Sequence, residues 1–428
     1  MTKLTARRGL KRSDSWRRGL LATPATLAVA GVLVAGCASS GSSGSSGSGS
    51  SGGSSGSASA PIKLAYLGPQ SGSLASTFGG GVIGAQTFVS WYNAHGGLDG
   101  HKLDMTVYDD ASNPSTVLSN ARLAVQNGAQ AIISADVYFD SAASYLKQQN
   151  IPVFGAGITP GFYGADKQMF FSQEGNWIGF ESDAQIKYLV SKGMKNIAVV
   201  SDPNPGNSVA AHAITKGVPI GGGKLLYTNY GVDDTSSAAL LSLAQRLAGM
   251  KAQAVYTNFY GTAAPQLQAD LAQVKSKAVV VAGSIGVSPA IPQQFGQTIN
   301  GLLSEVFSAT WYNPSIQGVA TFTSAMKKFS PANVQNAEAL SGWANMLMFA
   351  GAVDKLGSSD PTPANLIKAG NTMSGYTGQG MFPPVTFPAM HTKLNPCFSI
   401  AEVVGGKWSI VTGNQANPFV CGDAVSAS

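Results

Sequence analysis

From Pro61 onward, apolar residues come in short blocks, each followed by a polar turn and then a longer amphipathic stretch. Ile62, Leu64, Tyr66 and Leu67 read as a buried strand. Gly68-Pro69 ends it, because proline cannot donate to a ladder and glycine permits the turn. A small polar loop, Gln70 to Thr77, feeds a helical pattern through Phe78, Val82, Ile83, Ala85, Phe88, Val89 and Trp91. His101 to Tyr108 reads as the next strand. Asn113-Pro114 then opens a helix running to Gly128, with a capping side chain, a proline at the first helical position and a glycine at the end. Ala131 to Ser134 and Ile151 to Phe154 are strands around a helix from Ser141 to Gln149. Lys195 to Ser201 repeats the pattern, followed by a helix from about Asn207. Strands are expected again at Leu225 to Tyr230, Ala252 to Thr257 and Ala278 to Ala282. This βαβ order predicts largely parallel sheets covered on both faces, an α/β fold. Open sheets of this kind bind ligands in polar loops at the carboxyl ends of strands, which singles out Gln70 to Phe78.

The last hundred residues have a different texture. Ala337 to Leu356 is a long apolar-rich helix, and Pro363 to Met373 a shorter one. Glu338, Asn345, Asp354 and Lys355 mark the first as a buried helix and not a membrane span. Phe398 to Val404 and Lys407 to Val411 flank Gly405-Gly406, a two-residue hairpin signal.

With 428 residues the chain exceeds one hydrophobic core, so more than one domain is expected. Its net charge of +6 is confined to the start. Lys3, Arg7, Arg8, Lys11, Arg12, Arg17 and Arg18, against Asp14, account for all of it and leave 20 basic and 20 acidic residues beyond. A neutral body gives no electrostatic footprint for nucleic acid. The basic start precedes an apolar run from Gly19 to Ala35, the pattern of a signal peptide. The run ends in L-V-A-G-C at Leu33 to Cys37, which looks like a lipobox. Cys37 is therefore the expected lipidation site, and acyl chains there would anchor the protein stably. Residues 1–36 are read as a lipoprotein signal peptide and 37–60 as a Ser/Gly-rich tether with a reach of roughly 25–30 Å.

Catalytic motifs are scarce. His95, His101, His212 and His391 show no metal spacing, and there is no nucleophile elbow and no P-loop. Asp109-Asp110 and Asp233-Asp234 read as strand-end and helix-flanking acids, since neighbours on an extended chain point to opposite sides. Gly79, Gly81 and Gly84 spell G-x-G-x-x-G, but they stand about a dozen residues past the strand, too far for a dinucleotide turn. They read instead as a close-packed helix start that lets the preceding loop hug a cleft. Cys397 and Cys421, an even pair in an exported chain, read as a disulfide closing a loop of about 25 residues, with two free thiols as the alternative. An enzyme, a cofactor and a metal site are not expected.

Several segments in order carry a family resemblance: A-Y-L-G-P-Q-S-G at Ala65 to Gly72, W-Y-N-A-H-G-G-L-D-G-H-K-L at Trp91 to Leu103, Tyr108-Asp109-Asp110, and I-P-V-F-G-A at Ile151 to Ala156. With the lipobox and the tether, the chain resembles the solute-binding lipoproteins of branched-chain amino-acid ABC importers, over essentially all of Pro61 to Ser428. The resemblance implies a type I periplasmic binding protein fold, with two Rossmann-like lobes of mostly parallel sheets joined by a multi-stranded hinge. Lobe 1 would be residues 61–178 plus 309–382, and lobe 2 residues 179–308 plus 383–428. It further implies a monomeric receptor on the outer face of the bacterial cytoplasmic membrane. That receptor would close on an amino acid, a related amide or an organic acid and deliver it to permease subunits. A sensing module of the same fold is the nearest alternative, and an exported α/β enzyme a more distant one.

Ligand contacts implied by the resemblance are Phe78 from the opening loop, Asp136-Val137-Tyr138 after the third strand, and Gly157 and Thr159 after the fourth. On the other lobe they are Tyr260 and Ser284. Ser284 stands where relatives carry an acid for the ligand ammonium, so an amine would need Asp136 or another acid here.

Overall fold

The computed structural model describes residues 59–173, 179–259, 261–283, 287–310, 312–414 and 416–428. The signal peptide, Cys37 and most of the tether lie outside these residues, as do Tyr260 and Ser284. Everything described belongs to one compact unit, Ser57–Ser428.

Five parallel strands form the first sheet: β1 (Ser59–Gly68), β2 (His101–Asp109), β3 (Ala131–Ser134), β4 (Val153–Gly155) and β5 (Phe170–Ser172), in the order β2-β1-β3-β4-β5. A short strand β6 (Phe180–Ser182) leads to the second sheet. There β7 (Asn196–Val200), β8 (Lys224–Asn229), β9 (Ala254–Thr257), β10 (Val279–Ala282) and β11 (Leu303–Val306) are parallel, in the order β8-β7-β9-β10-β11. Two antiparallel strands, β12 (Cys397–Val404) and β13 (Lys407–Ile410), extend its edge. The turn between them is the predicted Gly405-Gly406, both at positive φ (58° and 75°), as a two-residue hairpin requires. At the end of the chain β14 (Val420–Cys421) pairs with β12, and β15 (Ala424–Ser426) pairs with β6. Cys397 and Cys421 face each other in that register and are joined as a disulfide.

Helices cover both faces of each sheet, as the βαβ order demands. On the first sheet, the helices Pro114–Gln126 and Asp140–Gln148 pack with Val117, Ala121, Ala142 and Leu146 against Leu67, Ile132 and Val153. Asn113 caps the first of these, accepting from the Ser115 N–H, with Pro114 at the first position. The helix after β7 starts at Pro205 by the same device, Asn204 accepting from the Gly206 N–H. That Asn-Pro pair places its start two residues before the expected Asn207.

The opposite face of the first sheet is covered by the helices Gly81–Ala94 and Ala337–Asp354. The second is the predicted apolar helix, buried at fourteen of its eighteen positions and capped by Asn336. No helix among the described residues is long and apolar enough to cross a membrane. These two helices cross at glycines. A Cβ on Gly84 would stand 1.8 Å from the Ala339 carbonyl oxygen, and one on Gly342 would stand 1.9 Å from that of Gly81. Gly81 itself leaves room for the Tyr66 hydroxyl, 2.4 Å from where a Cβ would be. The G-x-G-x-x-G is thus a packing surface: Gly81 and Gly84 serve the helix crossing and Tyr66, while a Cβ on Gly79 would stand 2.5 Å from the Ala75 carbonyl oxygen and 3.3 Å from that of Pro69 in the preceding loop. Around the crossing, Trp343 stacks edge-on with Phe88 and Phe322 at ring separations of 4.9 and 5.7 Å.

On the second sheet, Ile186, Leu189, Ala211, Ile214 and Val218 cover one face, and Leu240, Leu247, Leu267 and Leu271 the other. The chain passes between the sheets three times: from β5 to β6, from β11 to the helix Gln317–Phe329, and from the segment after Pro363–Gly370 to β12.

Gly84→Ala is expected to destabilise the protein by about 2–3 kcal/mol, because a methyl cannot enter the helix crossing without moving a backbone. Gly249→Ala, where a Cβ meets nothing within 4 Å, is expected to be neutral or slightly stabilising. Urea unfolding of the two variants checks both.

Candidate functional site

All five first-sheet strands and five strands of the second end on the same side of their sheet, so their polar loops gather at the carboxyl edge. The opening loop after β1 is fixed by Asp109, at the end of β2. Asp109 Oδ1 accepts from the N–H groups of Gln70 (2.8 Å), Ser71 (3.2 Å) and Ala111 (2.9 Å), and Oδ2 accepts from Ser71 Oγ at 2.6 Å. Burial works against the charge, but these donors together hold the carboxyl below the ordinary aspartate range. Ser112 adds a second tie: its Oγ donates to the Ser71 carbonyl and accepts from the Leu74 N–H, each at 2.9 Å. Phe78 follows at the end of the short helix Ala75–Phe78 and is half-buried.

Asp110 points the other way, as neighbours on a strand must. It is 1 % exposed, and its Oδ1 accepts from the Ser112 N–H at 2.6 Å. Asp136, after β3, is likewise 1 % exposed, with Oδ1 accepting from the Tyr138 N–H at 2.7 Å. The two side chains lie within hydrogen-bond reach of one another. Burial, and then the Asp110 charge, push the Asp136 carboxyl up to about 7, and burial raises Asp110 as well. Beside them the buried Tyr66 hydroxyl is held protonated, first by burial and then by Glu338, Asp136 and Asp110. The Asp136 carboxylate therefore faces inward, and the loop keeps Val137 and Tyr138 half-buried at its rim.

The loop after β4 is built around Gly157. Its N–H donates to Ser172 Oγ at 2.8 Å, and its carbonyl accepts from Tyr163 Oη at 2.7 Å. A Cβ there would fall 2.4 Å from that hydroxyl, so the close approach requires glycine. The Gly157 N–H is consequently engaged by the end of β5. Thr159 is buried, and its Oγ1 has no partner.

On the second sheet, Asp202 after β7 accepts from the Asn204 N–H and from Asn207 Nδ2, closing its loop on itself. Phe259, after β9, is core. Asn258 accepts from Tyr256 Oη at 3.0 Å, against Gly283, where a Cβ would stand 1.9 Å from Asn258 Oδ1. Below this lies a second acid pair, Glu305 on β11 (3 % exposed) and Glu181 on β6. Burial pushes Glu181 up to about 8; burial and then the Glu181 charge raise Glu305. Gln185 faces the Tyr256 hydroxyl in the same cluster. Sequence reasoning missed Asp110, Glu181 and Glu305 as partners; the available signal was an acid set inside an apolar strand run. A groove of about 380 Å³ beside Ile83, Val89, Met105 and Phe329 involves none of the strand-end loops. Among the described residues no cluster of three or more His, Cys, Asp or Glu is placed to hold a metal ion.

The sequence profile described as periplasmic binding protein matches residues 61–407. The Leu/Ile/Val-binding protein of Escherichia coli K12 is 24 % identical over 261 residues, covering 56 % of this chain and 66 % of that protein, just under two thirds of its length. Among solved structures, an ABC transporter substrate binding protein from Aeropyrum pernix superposes with a TM-score of 0.68 at 16 % identity, over 86 % of this chain and 97 % of the other. A branched chain amino acid ABC transporter protein from Thermus thermophilus, with bound valine, gives 0.66 at 14 %, over 82 % and 95 %. A solute binding protein from R. palustris, in complex with benzoate, gives 0.63 at 18 %, over 85 % and 99 %. The arrangement seen here is thus the type I periplasmic binding protein fold.

Burial raises Glu181 to about 8, so the stability its proton contributes is complete below about pH 4.5 and is lost as pH rises toward about 8; Glu305, raised by burial and then by the Glu181 charge, loses its contribution in the same direction. Glu305→Gln removes that loss, so its melting temperature relative to the parent is expected to climb between pH 5 and 8. A pH-independent offset in differential scanning fluorimetry would count against a titrating pair.

Proposed function

Since the chain belongs to the periplasmic binding protein family, we propose that it is an extracytoplasmic receptor that captures a small polar solute between two lobes and passes it to the permease of an ABC importer. The observation that carries this reading is the pair of parallel sheets, linked by three chain passages, with every polar loop at the strand carboxyl edge. On this reading lobe 1 comprises residues 61–178 plus 309–382 and lobe 2 residues 179–308 plus 383–428. Contacts to both lobes would favour a closed state by their differential affinity. Acyl chains on Cys37 would hold the receptor at the membrane, and the Ser/Gly tract would let the body turn toward its permease.

The ligand is proposed to be an amino acid, a related amide or a small organic acid. Phe78, Val137, Tyr138, Gly157, Thr159, Tyr260 and Ser284 are the proposed contacts, with Asp136 behind them. The strand-end segments 68–74, 109–113, 135–139, 156–159, 201–204, 258–260, 283–286 and 307–311 contain no Lys, Arg or His. A multiply charged anion would therefore be buried without a cationic partner, at high cost. A ligand carboxylate would have to rely on backbone N–H groups.

Thermal shift of the chain from Pro61, screened against amino acids, amides, monocarboxylates, citrate and sugars, tests the reading. A true ligand at a hundredfold over its Kd stabilises by about 2.7 kcal/mol; citrate is expected to do nothing. Failure of every compound would sink the receptor reading. Thr159→Val, which keeps shape and removes the hydroxyl, is expected to weaken the ligand found by about five- to tenfold, ~1 kcal/mol, in calorimetry.

A further inference from the structure

Asp110 and Asp136 each spend one oxygen on their own turn, Oδ1 on the Ser112 and Tyr138 N–H groups respectively. The remaining Oδ2 of each is fully buried and receives no N–H or O–H from elsewhere, although the two side chains lie within hydrogen-bond reach of one another. Ionised carboxylates are acceptors only, so this contact is a hydrogen bond only when one proton lies between them. Without it, two like charges meet in a dry interior.

We propose that Asp110 is a positioning residue for the loop after β3, acting through a single proton that it shares with Asp136. This rests on the reading of that loop as ligand-facing. Through Ser112 the link continues to Ser71 and Leu74, so the same proton ties the opening loop to the loop after β3. The turn it steadies holds Ala111 and Ser112 at positive φ, 51° and 61°, a conformation that costs free energy and needs fixed partners.

Charged and titratable groups facing the pair are Asp109 from the same turn and Tyr66 from β1, with Glu338 from the helix Ala337–Asp354 behind Tyr66. All of these disfavour a second negative charge. Asp136 titrates near 7 in the fold against 3.8 ordinarily. The stability supplied by the proton is therefore complete below about pH 3.8 and is lost as pH rises to about 7. Above that the two turns repel and the loops loosen.

Asp136→Asn supplies an amide that donates to Asp110 with no proton to lose; Asp110→Asn does the same from the other side and serves if the first variant folds poorly. Hydrogen exchange of the 110–113 and 135–139 amides at pH 6 and 8, corrected for intrinsic rates, reads the positioning. In the parent, protection is expected to fall at least fivefold across that range, and less than twofold in either Asn variant. Melting temperature of the variant relative to the parent is expected to rise from pH 4 to 7 and then level off; titration of Glu181 and Glu305 cancels in that difference. Equal exchange profiles in parent and variants, or a flat difference, would overturn the shared proton. If exchange behaves as expected but no compound of the solute panel binds at pH 6, the link stands and its ligand-positioning role falls.

Discussion

The glycine crossing between Gly81–Ala94 and Ala337–Asp354 is the contact that makes the two halves of the sequence one body. Helix axes can approach this closely only where side chains are missing, and Gly84 and Gly342 vacate opposite sides of the same contact. From there Trp343 reaches Phe88 and Phe322, and the long helix lies down on β3, β4 and β5. A chain that had already left the first sheet is thereby returned to it. The second and third passages follow from that return.

Both sheets then place acids where apolar residues would pack more cheaply. Asp110 and Asp136 are buried, as is Glu305, with Glu181 half-buried on β6, and the neighbouring charges that bear on these groups are themselves carboxylates. Isolated charges there would be prohibitive, so the groups favour their protonated forms. A carboxyl held in this way is a donor as well as an acceptor, which a salt bridge could not provide.

Much of this was legible in the sequence. Strand runs such as Ile62 to Leu67, the Asn113-Pro114 cap and the Gly405-Gly406 turn are local signals, and local physics decides them. Strands β5, β11 and β15, of three or four residues each, carry too little periodicity to stand out from loops and exist because a partner edge awaits them. The candidate site was half legible. Gly157 and Thr159 follow from the family resemblance and not from their spacing, whereas the burial of Asp136 beside Asp110 has no counterpart in any spacing along the chain. β2 and β3 flank β1, so the approach of the residues that follow them is tertiary information.

The β6–β15 pairing has a consequence in time. Asp183 Oδ1 accepts from the Asp423 N–H, 240 residues further on, and Lys187 reaches both carboxylates. A chain that emerges from its N-terminus must hold β6 without a partner until residues 424–426 have appeared. The first passage between the sheets is therefore the last to be finished. Until then the β6–β15 tie is missing, and such long-range closure is slow because its ordering entropy is spent late. A protein stopped after Gly422 would keep the disulfide and nearly all of its core and lose that stitch.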